Sequence, residues 1–116
     1  MTDVKRIDPG PRLSEAVVHG DRIHLSGMIP EDTSLDIAGQ VGQALSEIDA
    51  LLKRAGTDKS KLLTATIFLA DIGDFAAMNA VWDAWVVPGQ APARATVQAQ
   101  LNDPKMKVEI VVVAAI

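Results

Sequence analysis

The chain has 116 residues, no cysteine, a net charge of −4, and four aromatic residues, two Phe and two Trp. That length suits one domain. The lack of cysteine excludes disulfides, a thiolate nucleophile and cysteine metal sites. Scattered cations and so few rings suit neither phosphate tracking nor base stacking, so nucleic acid is not the expected partner. Met1–Lys5 lacks the apolar run of a signal peptide, and no stretch approaches the ~18 apolar residues of a membrane span. The expectation is one cytoplasmic domain over residues 1–116, with no membrane contact.

Residues 1–15 read as irregular, punctuated by Pro9-Gly10-Pro11. Ala16–His19 and Arg22–Met28 are short β-prone runs around Gly20-Asp21, a hairpin signal. Ile37, Val41, Leu45, Ile48, Leu51 and Leu52 then recur at helical spacing, predicting a helix over 34–55. Asp32, Thr33 or Ser34 could cap its start, and Gly56 would end it. Lys61–Ala70 alternates as a strand, with Leu63, Ala65, Ile67 and Leu69 on one face. Asp74–Val86 returns to helical spacing through Phe75, Met78, Asn79, Trp82 and Trp85. Arg94–Leu101 and Lys107–Ala115 predict a second strand pair around Asn102–Lys105.

The order β-β-α-β-α-β-β predicts an α+β domain, a mixed sheet with both helices on one face. The other face would carry Thr66, Phe68, Val111 and Val113 with nothing left in the chain to cover them. An uncovered apolar sheet face marks an interface. Association through that face is the expectation.

Arg94 enters a strand just after Ala91-Pro92-Ala93. Its planar fork suits a carboxylate, and it equally suits a solvated strand end. Glu109 interrupts the apolar run Val108–Val113, so it needs a cation, donors or water unless it faces solvent at an edge. With a turn centred on Asp103-Pro104, Arg94 would lie opposite Val113 and Glu109 opposite Gln98. The two would then share a face, roughly 13 Å apart at ~3.3 Å per residue, too far to meet within one hairpin. Cooperation between neighbouring subunits is the remaining route. Asn79 sits on the apolar stripe of the second helix and needs a hydrogen-bond partner, local backbone or ligand. Ser26-Gly27 could present a hydroxyl and a backbone N–H to a ligand, or simply end a strand at a bend. His19 and His24 flank the first turn with no recognisable metal-ligand spacing, and no phosphate-binding loop is present.

Taken together, Ala16-Val17, Gly20-Asp21 and Leu25-Ser26-Gly27-Met28-Ile29-Pro30 resemble the N-terminal signature of the RidA/YjgF family. Gln43-Ala44-Leu45, Leu52–Gly56, Ile67–Asp71, Asp74-Phe75, Met78-Asn79 and Trp82 follow in the family's order. Pro92-Ala93-Arg94-Ala95-Thr96-Val97 and, fifteen residues past Arg94, Val108-Glu109-Ile110 match its most specific motif. The resemblance covers nearly the whole chain. It implies a chorismate-mutase-like fold and a homotrimer with clefts between subunits. It further implies hydrolysis of 2-imino acids and their enamine tautomers to 2-oxo acids and ammonia, without metal or organic cofactor. Arg94 would clamp the substrate carboxylate and Glu109 would orient water. Ser26, the backbone of Gly27, Asn79 and Thr96 would line the cleft.

Three positions depart from the family pattern. Leu13 stands where many deaminating members carry Tyr, Thr96 where Cys is frequent, and Met28 where Gln is common. The missing phenol, together with Arg94, keeps a non-catalytic binder of small carboxylates in contention; the ribonuclease or translation-inhibitor activity attributed to some relatives is a third function, against which the acidic balance and scarce rings argue.

Overall fold

The computed structural model describes residues 3–116; Met1 and Thr2, part of the segment expected to be irregular, lie outside the described residues. Six strands form one mixed sheet: β1 (Val4–Ile7), β2 (Ala16–His19), β3 (Arg22–Leu25), β4 (Leu62–Leu69), β5 (Ala93–Gln98) and β6 (Val108–Ala115), in the order β1-β2-β3-β6-β4-β5. Two helices, α1 (Ile37–Arg54) and α2 (Phe75–Trp85), complete the α+β domain.

β1 corrects the expectation of an irregular N-terminal segment. It pairs antiparallel with β2 at the sheet edge, Val4 opposite His19 and Ile7 opposite Ala16. Only Ile7 of its four residues is even half-buried, so the strand carries no apolar alternation to betray it. The hairpin around Gly20-Asp21 forms as expected, with His19 opposite Arg22 and Gly20 at positive φ.

α1 starts later than expected. Asp36 is the cap, its carboxylate accepting from the Gly39 N–H at 2.9 Å. Asp32 instead turns its carboxylate onto Ser34, outside the helix. The C-terminus closes as expected at Gly56, whose φ is 81°. The Gly56 and Thr57 N–H groups return to the Lys53 and Leu52 carbonyls, the double bond of a left-handed helix stop. α1 buries Val41, Ala44, Leu45, Ile48, Leu51 and Leu52 against the sheet. At about 25 cal/mol per Å² of apolar surface removed from water, this stripe is the main source of the helix's stability.

The largest correction concerns the last two strands. β5 and β6 do not pair with each other; β4 lies between them, parallel to β5 and antiparallel to β6. The helix of the preceding crossover delivers β5 to the far edge, and the 99–107 segment then carries the chain back past β4. A local turn at Asp103-Pro104 exists, with the Met106 N–H bonded to the Asp103 carbonyl, but it does not close a hairpin. A register irregularity between Leu62 and Thr64 also turns Leu62 inward and leaves Leu63 exposed, against expectation. Beyond it, Ala65, Ile67, Leu69, Val108, Ile110, Val112 and Ala114 face the helices. Thr66, Phe68, Val111 and Val113 lie on the opposite face, which no helix among the described residues covers. No helix among the described residues is long and apolar enough to cross a membrane.

Candidate active site

Antiparallel and parallel neighbours place their side chains on the same face of a sheet, so the register assigns each candidate a side. Glu109 lies opposite Phe68, on the uncovered face. Arg94 lies opposite Ala65, which is buried under the helices. The two residues therefore occupy opposite faces, correcting the shared face drawn from a hairpin. The same topology removes the reading of Glu109 as an edge residue, because β6 is interior to the sheet.

Glu109 opens into a cleft of about 570 Å³ lined also by Leu13, Ser26 and Gly27. The cleft forms where the chain leaves β3. The Ser26 N–H donates to the Glu15 carbonyl at 2.9 Å, and Met28 bonds reciprocally with Ile110 at 2.8 and 2.9 Å. These bonds press Gly27 against Glu109: a Cβ on Gly27 would stand 2.7 Å from the carboxyl carbon. The Glu109 carboxylate is half-buried and accepts no hydrogen bond from any described residue, so it is free to hold a water or a ligand proton. Leu13, 58% exposed, presents an apolar side chain at the rim. Glu15, Glu31, Glu47 and Asn102 also line the cleft. No sequence signal marked them, because each reads as an ordinary solvated loop or helix residue.

The remaining candidates form a second group. The Arg94 guanidinium carbon lies 5.9 Å from the Phe75 ring centre and 5.3 Å from that of Trp82, two residues of α2. Such cation–π seating fixes the plane of the fork while leaving its N–H edge available. Asn79, one turn from both rings, has its side-chain oxygen buried without a partner, and so does the Thr96 hydroxyl, two residues along β5 from Arg94. The local backbone bond anticipated for the Asn79 oxygen is therefore not made. Buried polar atoms without partners cost ~1–3 kcal/mol each, and they are sharply informative in a well-packed chain. Among the described residues, no cluster of three or more His, Asp or Glu could hold a metal ion.

Residues 4–116 match the family described as Endoribonuclease L-PSP. The RutC family protein YoaB of Escherichia coli K12 is 51% identical over 113 residues, covering 97% of this chain and 98% of that protein. The crystal structure of NMB1025, a YjgF family member from Neisseria meningitidis, superposes with a TM-score of 0.95 at 46% identity, covering 97% of this chain and 94% of that one. A more distant relative is the 2-iminobutanoate/2-iminopropanoate deaminase of E. coli K12, 31% identical over 90% of this chain and 87% of its own. With its mixed sheet, its two helices and a match running from β1 to the last residue, this chain belongs to the RidA/YjgF family and has the chorismate-mutase-like fold of that family.

Proposed function

We propose that this chain is a deaminase that hydrolyses 2-imino acids and their enamine tautomers to 2-oxo acids and ammonia, in sites shared by two copies within a homotrimer. One observation carries the reading. Arg94 and Glu109, the two groups the reaction needs, stand on opposite faces of one sheet, each within its own set of polar groups. Glu109 has Ser26 and Gly27 beside it; Arg94 has Asn79 and Thr96, whose buried oxygens want donors. A second copy that lays its β5 edge and the adjoining α2, where Arg94 sits, against this chain's uncovered sheet face would bring the two sets together. The 31% identical deaminase and the family membership support the same reading.

The chemistry asks for little. Arg94 holds the substrate carboxylate through two parallel N–H bonds, which orients the imine carbon. Glu109 accepts a proton from water as the water oxygen attacks that carbon, giving a carbinolamine. Glu109 passes that proton to nitrogen, then relays the carbinolamine hydroxyl proton to the same nitrogen as the C–N bond breaks, so that ammonia and a ketone leave. One water is consumed and one ammonia released. Proton transfer by a positioned carboxylate contributes typically 10²–10⁴-fold, and no metal or organic cofactor is needed.

Release of 2-oxo acid from imines generated by an amino-acid oxidase tests the proposal, with the wild-type protein and Arg94→Ala compared. The wild type should accelerate release and the variant should not; equal rates would reject the reading. Leu13, which offers no hydroxyl at the rim, favours one rival, a carboxylate binder without turnover. That rival predicts 2-oxo acid binding with no acceleration. RNA cleavage abolished by Arg94→Ala would favour the ribonuclease reading instead.

A further inference from the structure

Gln40 is fully buried inside α1, where an amide must find partners for all its hydrogen-bonding groups. It finds them in two loops far apart in the chain. Its Nε2 donates to the carbonyls of Thr33 at 3.1 Å, Leu35 at 3.0 Å and Lys105 at 3.1 Å. Its Oε1 accepts from the Lys107 N–H at 2.8 Å. The first loop begins at Ile29, Pro30 and Glu31, which form one wall of the cleft around Glu109. The second begins at Asn102, which forms another part of it. One side chain thus ties both lips of the cleft to the same turn of helix.

We propose that Gln40 is a positioning residue that sets the width of the cleft mouth, and hence how tightly substrate is held against Glu109. The inference rests on the deaminase reading. Helix α1 is anchored to the sheet by its apolar stripe, so the amide is a fixed post. The other ties of the two loops lie at their ends: the Met28–Ile110 pair and Asp32 N–H to the Gln43 side chain on one, and Ala70 N–H to the Lys107 carbonyl on the other, whose Lys105 and Met106 N–H groups bond only within the loop, to Asp103. Glu109 itself sits two residues beyond Lys107 in a strand paired on both sides, so its own position survives loss of the amide. The effect should therefore fall on KM and leave kcat nearly unchanged.

Three variants test this on the intact protein by steady-state imine hydrolysis. Gln40→Met keeps the volume and removes the bonds; KM should rise tenfold or more with kcat within about twofold. In Gln40→Glu a protonated carboxyl can still donate to one carbonyl, whereas the ionised form faces three carbonyl oxygens. Burial raises such a carboxyl toward neutrality, so the KM of this variant should climb across roughly pH 6–9 while the wild-type KM does not. A purely structural role would lower melting temperature without producing that pH profile. Asp103→Ala loosens the second lip from the solvent side and spares the core; its KM should rise several-fold even if Gln40→Met does not fold. Wild-type KM in the folded variants overturns the clamp. Absence of turnover in the wild type overturns the deaminase reading on which it rests.

Discussion

Gly27 lies against the side chain of Glu109, with no space between them for a methyl group. The contact is one of position more than stability. The Glu109 carboxylate is the far end of a flexible side chain and makes no hydrogen bond to the described residues, so it can swing aside when crowded. A glycine here keeps the acid aimed into the cleft.

Gly27→Ala should therefore cost activity while sparing the fold. Imine turnover is expected to fall at least tenfold, because a displaced base loses much of the 10²–10⁴-fold that a positioned one supplies. Melting temperature should change by only a few degrees. Turnover equal to wild type would show that the carboxylate position does not matter.

Mixing two inactive variants tests whether one site draws on two chains. Arg94→Ala and Glu109→Gln should each be inactive alone. Co-expressed at equal levels, random assembly would pair an intact Arg94 with an intact Glu109 of a neighbour in about a quarter of the sites. Activity near a quarter of wild type is expected. No recovery would mean that both groups must come from the same chain.

The uncovered sheet face supplies a third prediction. Val113 lies between His24 and Thr64 on that face. A carboxylate buried between copies is strongly unfavourable, so Val113→Glu should convert the proposed trimer into monomers, measured by light scattering after size exclusion. Catalysis should disappear with it, while far-ultraviolet circular dichroism stays unchanged. A variant still assembled at wild-type mass would show that copies do not pack on this face.

The Asp8–Arg54 pair, 2.7 Å apart, links the loop after β1 to the end of α1. Hydrogen bonding to Arg54 holds the Asp8 carboxyl below its ordinary value. A carboxylate depressed in the folded state adds stability above its unfolded pKa, near 4, and loses it as pH falls through the lower folded value. Both groups are exposed, so the contribution is small and screened by salt. Asp8→Asn should lower melting temperature slightly at pH 7 in low salt, and the difference should shrink as pH falls below the unfolded value and vanish once it passes the depressed folded one. A gap that persists in acid would mean the side chain acts by something other than charge.

Periodicity was enough to find both helices and most strands, because the apolar stripe of α1 and the alternation of β4 and β6 record which side faces the core. It also showed that one sheet face lacks a cover. β1 escaped detection because an exposed edge strand carrying Lys5 and Arg6 needs no apolar pattern. Residue types alone singled out Arg94, Glu109, Ser26, Gly27 and Asn79, since a fork, an acid in an apolar run, a hydroxyl at a strand end and an amide on an apolar stripe each invite a partner; Thr96 came only with the family resemblance.

What the linear order could not reveal was which strands are neighbours. Asp103-Pro104 reads as a hairpin turn, yet β4 inserts between β5 and β6, and that insertion moves Arg94 to the opposite face from Glu109. Pairing is settled by burial summed over the whole sheet, a long-range quantity that a local turn signal does not contain. The same holds for Gln40: its side chain reads as one more polar position on a helix, and only the folded chain brings Lys105 and Lys107 within its reach.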